Sequence, residues 1–232
     1  FAATSVTVFQ PATITATVMN LTRKRTDNVV VRFFEGSAQT GSDQRVSVPG
    51  LGTAQASVSW TPGLPVGTRT IKAVVDPDER VADVNRSNNT GQRQVEVKAG
   101  DAVLTVTPTT VTFPAGNGNA SVTIRVVDAD QAGKGTVSVT LRSTYSAWNG
   151  NICVSTTETE TVTLTETRTL GTFEVASIPT QKASGATVTP NNGRFDFDTR
   201  CVASITVTVA YVEPLTSTGQ TNVERTATFT AN

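Results

Sequence analysis

Histidine is absent from this sequence of 232 residues. Imidazole is the side chain that titrates most readily near neutral pH, and it is the commonest ligand of transition metals. Its absence excludes serine–histidine catalytic triads and histidine-ligated zinc sites. The chain also offers no activated cysteine and no recognisable pair of facing carboxylates, so the sequence predicts a protein that is not an enzyme and needs no cofactor.

An excess of charge of one sign is also missing, because 19 Lys and Arg residues balance 19 Asp and Glu residues. A balanced chain creates no field that would hold DNA or RNA at physiological salt, so nucleic acid is excluded as a partner. No apolar run approaches the roughly 18 residues of a membrane-spanning helix, and no basic-then-apolar leader opens the sequence. A start at Phe1 rather than at methionine indicates a processed or excised piece.

Cysteine is scarce, with Cys153 and Cys201 as the two examples. They are either two buried thiols or a disulfide, and a threonine-rich β protein favours the disulfide. A disulfide implies an oxidising compartment, so we expect an extracellular or cell-surface location.

Threonine is abundant, with 43 residues, and it alternates with apolar residues throughout the chain. The run SITVTVAYV at 204–212 places Ile205, Val207, Val209 and Tyr211 on one face of a strand. Runs of this kind are separated by turn sequences such as PGLG at 49–52 and PNNG at 190–193. Helical crossovers for parallel strands are missing, so the pattern predicts an all-β protein of antiparallel β-sandwiches.

The segment VKAGDAVL at 97–104 marks the best boundary between two modules. One strand ends near Val97, a small and flexible Ala99–Gly100 follows, and the next strand begins near Val103. We therefore predict two tandem immunoglobulin-like sandwiches, at 1–99 and 100–232.

The first module resembles CARDB, the cell-adhesion-related domain found in bacteria. The resemblance covers about 12–97 and is carried by ATITATVMN, VRFFEG and SVSWTPGLPVGTRTIKAVVDPDERVADVNRSNN in this order. It implies an immunoglobulin-like module of extracellular repeat proteins that is mostly non-catalytic. The first strand of the family is shortened here to FAATSVTVFQPA, so we expect residues 1–10 to be free to pair with a neighbouring molecule.

The second module resembles a β-rich repeat of large secreted and surface-layer-type bacterial proteins. The run ETETVTLTETRTLGTFEVASIP at 158–179 carries this resemblance, together with NNGRFDF and SITVTVAYVEP. In TVTLTE we expect Val162 and Leu164 to point inward. The resemblance implies a β-sandwich in an extracellular setting.

Two acidic stretches offer oxygen ligands for calcium. VDPDERVADVNRSNNT at 75–90 contains Asp76, Asp78 and Asp83, and VVDADQAGKG contains Asp128 and Asp130. Neither has the spacing of the twelve-residue calcium loop, so hydrogen-bonded turns are the favoured interpretation of both. In the first stretch we expect Val81 and Val84 to close the end of the core.

Tyr145 and Trp148 lie in STYSAWNGN at 143–151, which reads as a polar loop near Cys153. They form either a platform on which a ligand stacks or, as we favour, a disulfide-tethered loop packed on the sandwich. Trp60, Phe173 and Phe195 fit core positions.

These features predict a structural subunit or repeat of an extracellular filament, stalk, sheath or surface layer. Its partners are copies of itself or adjacent modules that associate through sandwich ends and edge strands. On this hypothesis, deletion of residues 1–9 abolishes assembly and leaves a folded monomer. The alternative is an adhesion module that binds carbohydrate or a host surface.

Overall fold

The computed structural model describes residues 5–185 and 187–232, which form two compact units, Phe1–Ala99 and Gly100–Asn232. Both units are built of β-strands, and the only helical segments among the described residues are two short 3₁₀ turns. The predicted all-β fold class is therefore confirmed. No helix in the described ranges is long and apolar enough to span a membrane.

Two sheets make up the first unit. Its elements are β1 (Ser5–Thr7), β2 (Ala12–Met19), β3 (Thr26–Glu35), β4 (Ala38–Val48), β5 (Thr53–Trp60), β6 (Gly67–Val75), a 3₁₀ turn (Arg86–Asn88) and β7 (Thr90–Lys98). The larger sheet has the order β1-β7-β6-β3-β4, and β2 pairs with β5 in the smaller one.

Period-two alternation builds the core of this unit. In β2 and β5 the threonines and serines face solvent, whereas Ile14 pairs with Val58 and both are buried. Trp60 is 3% exposed and donates its indole N–H to Glu35 Oε2 at 3.0 Å, so its predicted core position is confirmed. Phe33 and Ile71 of the larger sheet are fully buried.

The N-terminal strand lies within the sheet of its own chain, in contrast to the expected pairing with a neighbour. Ser5–Thr7 pairs in parallel with Glu96–Lys98 of β7, and the Val8 N–H donates to the Lys98 carbonyl at 2.9 Å. Val8 is fully buried. Residues 1–4 lie outside the described part of the chain. Deletion of residues 1–9 would therefore expose the edge of β7 and remove a buried residue. An assembly defect in this deletion variant could then result from impaired folding of the first unit.

The second unit has a single long sheet. Its elements are β8 (Val103–Thr107), β9 (Thr110–Val111), β10 (Gly116–Val127), a 3₁₀ turn (Ala129–Gln131), β11 (Thr136–Trp148), β12 (Cys153–Glu166), β13 (Thr172–Ala183), β14 (Phe195–Asp198), β15 (Ile205–Leu215) and β16 (Thr221–Ala231). The order is β8-β10-β13-β12-β11-β15-β16-β9, with β14 paired to β13.

This sheet folds over at the junction between β12 and β13. Among the described residues, the two strands pair there at only two positions, Thr165 with Glu174 and Glu166 with Phe173. Strands β8, β10 and β13 form one layer and β11, β12, β15 and β16 form the other. Buried residues of both layers, including Ile124, Phe173, Leu141 and Val209, belong to one apolar core. The strand SITVTVAYV buries Ile205, Val207, Val209 and Tyr211, as its alternation predicts.

The predicted disulfide between Cys153 and Cys201 is present, with the two Cα atoms 5.8 Å apart. It links the start of β12 to the segment after β14. Phe195 is 1% exposed and lies edge-on to Phe113, with ring centroids 6.2 Å apart. The core positions of Phe173 and Phe195 are thereby confirmed.

Candidate interaction sites

The acidic stretch after β6 is organised by Asp76, which is 5% exposed and has a φ of 48°. Its carboxylate accepts hydrogen bonds from the backbone N–H groups of Arg80 at 2.8 Å and Val81 at 2.9 Å. The Arg86 guanidinium donates to the same carboxylate at 3.0 Å. Burial by itself raises the pKa of Asp76, but these donors outweigh it and hold the pKa below its ordinary value. The stretch is thus a turn closed around one ionised carboxylate.

The remaining acids of this stretch do not converge on Asp76. Asp78 lies 3.4 Å from Arg32 Nη2 and 3.9 Å from Arg80 Nη2. Asp83 accepts from the Asn85 N–H at 3.0 Å. Across the described ranges, no three acidic or cysteine side chains are grouped so as to hold a metal ion. Calcium at Asp76, Asp78 and Asp83 stays a prediction, and the observed contacts are those of a hydrogen-bonded turn.

We expect Asp76→Ala to lower the free energy of unfolding of the first unit by about 2–3 kcal/mol, because it leaves two N–H groups and Arg86 without their acceptor. Urea unfolding followed by Trp60 fluorescence in a Trp148→Phe background, where Trp60 is the single tryptophan, measures this loss. A chelator is expected to leave the unfolding midpoint of the wild-type protein unchanged. A midpoint that falls with chelator and is restored by calcium would contradict the turn interpretation and support a metal site.

The prediction that Val81 and Val84 close the core is wrong for Val84, whose side chain is completely exposed at 106%. Val81 is only half-buried. The turn closes around the carboxylate of Asp76 instead of around an apolar side chain, so Val84 is directed to solvent.

Val84 shares one end of the first unit with other exposed apolar residues. Three connections meet there, at 20–25, 49–52 and 76–89, and we call this the distal end because β7 runs from it toward Ala99. The Asn20 N–H donates to the Gly52 carbonyl at 2.9 Å and the Leu51 N–H to the Thr22 carbonyl at 2.7 Å. These bonds bring together three exposed side chains: Met19 at 66%, Leu21 at 71% and Leu51 at 66% exposure.

Basic residues flank this apolar group on one side. Arg23, Lys24 and Arg25 follow Leu21 and Thr22 in the same connection and are all exposed. Apolar side chains next to charged ones are typical of protein–protein interfaces. The distal end therefore has the composition of an association surface.

The second acidic turn contains a buried carboxyl group. Asp128 is fully buried and accepts a hydrogen bond from the Tyr211 hydroxyl at 2.6 Å. Burial, reinforced by the neighbouring Asp130, raises the pKa of Asp128 to about 7. Asp130 accepts from the Gln131 side-chain amide at 3.1 Å. Calcium at this pair likewise stays a prediction, and the observed role of Asp128 is to hold Tyr211 in the core.

Tyr145 and Trp148 lie in strand β11, which ends at Trp148, so their assignment to a polar loop is wrong. Tyr145 is 8% exposed, and its hydroxyl donates to the Asp196 carbonyl at 2.9 Å. It packs edge-on against Phe197, with ring centroids 5.9 Å apart. Tyr145 is therefore a core residue, and the ligand platform at Tyr145 and Trp148 stays a prediction.

Trp148 is the half-buried last residue of β11. The Arg200 guanidinium lies over its ring, 5.1 Å from the centroid. The buried carboxylate of Asp198 accepts hydrogen bonds from the backbone N–H groups of Trp148 at 2.9 Å and Arg200 at 3.1 Å. Of the two aromatic residues that the sequence singles out, only Trp148 retains an accessible surface next to a cation.

Sequence reasoning missed a group of buried acids between β12 and β14. Glu158 and Asp196 are fully buried and Glu160 is 4% exposed. Glu160 accepts from the Asn192 N–H at 2.7 Å and the Gly193 N–H at 3.1 Å. Asp196 is paired with Arg194 at 2.9 Å. The signal was present, because the alternation of TETETVTLTE places Glu158 and Glu160 on the same face as Leu164.

The comparison with known families concerns the first unit. The CARDB family model matches residues 1–93. This confirms the resemblance read from the sequence, and it suggests an extracellular-type bacterial module. CARDB is a family of non-catalytic immunoglobulin-like domains, which favours a non-enzymatic role. No curated protein matches the chain.

Solved structures of the same kind of domain are similar to this unit. One is a solution NMR structure of the CARDB domain of a Pyrococcus furiosus protein, with 27% identity and a TM-score of 0.37, covering 40% of this chain and 84% of that one. Another is a crystal structure of that domain in complex with di-metal ions, with 25% identity and a TM-score of 0.38, covering 41% of this chain and 84% of that one. The likeness of the second unit to bacterial surface repeats stays a prediction.

Proposed function

We propose that the protein is a non-catalytic structural module of an extracellular or cell-surface assembly. Copies or adjacent modules associate through the ends of the sandwiches and build a filament, stalk, sheath or surface layer. The Cys153–Cys201 disulfide supports an oxidising location. Threonine-covered faces keep the strands solvated, and hydrogen-bonded ladders resist mechanical extension along the chain.

The apolar group at the distal end carries this proposal. Met19, Leu21 and Leu51 are each about two-thirds exposed, and the backbone hydrogen bonds from Asn20 to Gly52 and from Leu51 to Thr22 place them at the same end of the unit. Contiguous apolar side chains of this size are unfavourable in water, and their burial against a partner supplies a driving force for association. Their position opposite Ala99 suits contact with the next module along an assembly.

The free edge of the larger sheet is a weaker candidate for association. Strand β4 forms this edge, and it carries a register shift opposite β3 as well as the charged residues Asp43 and Arg45. Irregular pairing and charged side chains are the devices that discourage edge-to-edge pairing. The distal end is therefore the stronger candidate.

The double substitution Leu21→Ser and Leu51→Ser tests the proposal. We expect the wild-type protein to form particles larger than a monomer in light scattering and ordered assemblies in electron microscopy. The double variant should remain monomeric, because it loses the apolar contact while its core is unchanged.

Leu170→Ser is the matched control, since Leu170 is 66% exposed in a turn of the second unit. This variant should assemble like the wild type, and all three proteins should share one thermal unfolding profile. A wild-type chain that stays monomeric at high concentration, or a double variant that assembles normally, would contradict the proposal.

A further inference from the structure

A cleft of about 390 Å³ opens in the second unit. The end of β11, the start of β12 and the segment before β14 line it. Its apolar surface comes from Ala147, Val154 and Val188, and its polar surface from Asn149, Thr156 and Thr187. Trp148 and Arg200 complete the wall. The volume is within the range of small-ligand sites, and the exposed lining is more polar than apolar.

One buried carboxylate holds three segments of this wall in place. Asp198 is fully buried and accepts from the backbone N–H groups of Trp148 at 2.9 Å, Gly185 at 2.8 Å and Arg200 at 3.1 Å. The cross-link adds a covalent restraint, because Cys153 is the register partner of Trp148 and Cys201 directly follows Arg200. The cleft is therefore formed before any ligand arrives, which lowers the entropic cost of binding.

The charge of the cleft is balanced. Arg200 is its cation, and its guanidinium lies 3.5 Å from the Asp198 carboxylate and 5.1 Å from the centroid of the Trp148 ring. The cleft thus offers hydrogen-bond donors without net positive charge, so an anion gains little there and a neutral ligand with many hydroxyl groups gains more.

A sugar ring has the matching chemistry. One side of a pyranose presents C–H groups that pack on apolar and aromatic surface, and its edge presents hydroxyls for guanidinium, threonine and amide partners. We propose that the cleft beside Trp148 binds a neutral saccharide residue. Trp148 and the valines pack against the ring, and Arg200 together with Thr156 and Thr187 binds its hydroxyls. This function goes beyond assembly and resides in the other unit.

A glycan array of neutral and acidic oligosaccharides, followed by calorimetry with the strongest neutral binder, tests the proposal. We expect the wild-type protein to bind neutral glycans, and Trp148→Ala to weaken that binding by about tenfold or more. Arg200→Lys keeps the charge but loses the planar donor edge, so it should also weaken binding. Trp60→Phe, in the core of the other unit, is the control that should bind like the wild type.

Trp148 fluorescence provides a measurement that does not depend on how Trp148→Ala folds. In the Trp60→Phe variant the signal comes from Trp148 alone, because the chain has two tryptophans. The neutral glycan should shift or quench this signal with the affinity found by calorimetry. Absence of neutral-glycan binding by the folded wild-type protein, binding of acidic glycans only, unaltered binding by a folded Trp148→Ala variant or an unresponsive Trp148 signal would each overturn the proposal.

Discussion

Replacement of both cysteines, Cys153→Ser with Cys201→Ser, is expected to lower the free energy of unfolding of the second unit by about 4 kcal/mol. The disulfide closes a loop between residues separated by 48 positions. Removing it restores the conformational freedom of that loop to the unfolded chain, which is worth about 4 kcal/mol at this loop length. The loss is a large fraction of the stability of a domain of this size.

Guanidinium unfolding with two fluorescent reporters measures this effect and contains its own control. In the Trp60→Phe background the signal comes from Trp148 of the second unit, and in the Trp148→Phe background it comes from Trp60 of the first unit, which has no cysteine. The Trp148 transition should move to lower denaturant, and reduction of the wild-type protein should reproduce the shift. The Trp60 transition should stay in place. A Trp148 transition that is insensitive to both treatments would show that the cross-link adds no stability.

Glu158→Gln is expected to stabilise the second unit at pH 8 and to remove part of its pH dependence. Glu158 is fully buried, and its Oε1 accepts from the Asp196 N–H at 3.3 Å, while Oε2 has no partner within the described residues. Burial, with smaller contributions from the charges of Asp196 and Glu160, raises the pKa of Glu158 from 4.5 to about 7. The hydrogen bond from the Asp196 N–H and the charge of Arg194 oppose this rise in pKa.

The sign of the effect follows from the direction of this pKa shift. Between pH 4.5 and 7 the unfolded chain releases the proton of Glu158 while the folded protein retains it. Folding binds a proton in this window, so stability falls as pH rises through it and levels off above about pH 7. The accumulated loss is up to about 3 kcal/mol. Glutamine keeps the acceptor oxygen and carries no charge, so the variant should escape this loss.

Urea midpoints of the two proteins between pH 4 and 8 measure the difference. The curves should nearly coincide at pH 4 and diverge toward pH 8, with the variant more stable. Asp128, whose pKa is also raised to about 7, contributes a residual slope of the same sign to both proteins. Glu160→Gln is the matched control and should destabilise the unit, because its carboxylate accepts two backbone N–H groups. Parallel curves for Glu158→Gln and the wild type would contradict the expected shift.

Most of the fold was predictable because it depends on local periodicity. Alternation of threonine with valine or isoleucine selects strands and the face that each strand buries, as in β15. The disulfide was equally accessible, since two cysteines allow one intramolecular pairing. The CARDB resemblance was readable because a long ordered set of residues carries it.

The candidate sites were only partly predictable, and the errors have physical causes. Tyr145 was placed in a loop because serine and threonine surround it, although the same alternation makes a strand that buries the tyrosine. The inward positions of Glu158 and Glu160 follow from period two, but the rule that glutamate avoids the core argues against them. The N–H groups of Asn192 and Gly193 bond Glu160 and the Asp196 N–H bonds Glu158, and these donors are distant in sequence from β12.

The sequence by itself predicted most of the strands and their buried faces, the disulfide between the two cysteines and the resemblance of the first unit to CARDB. Each of these depends on residue type and on spacing along the chain. The tertiary structure alone decided that Met19, Leu21 and Leu51 share one exposed end, that residues 5–7 complete their own sheet, and that Asp198 draws Trp148, Gly185 and Arg200 around a cleft. Those outcomes depend on which strands become neighbours, and a hydrogen bond between distant residues has no signature in local periodicity.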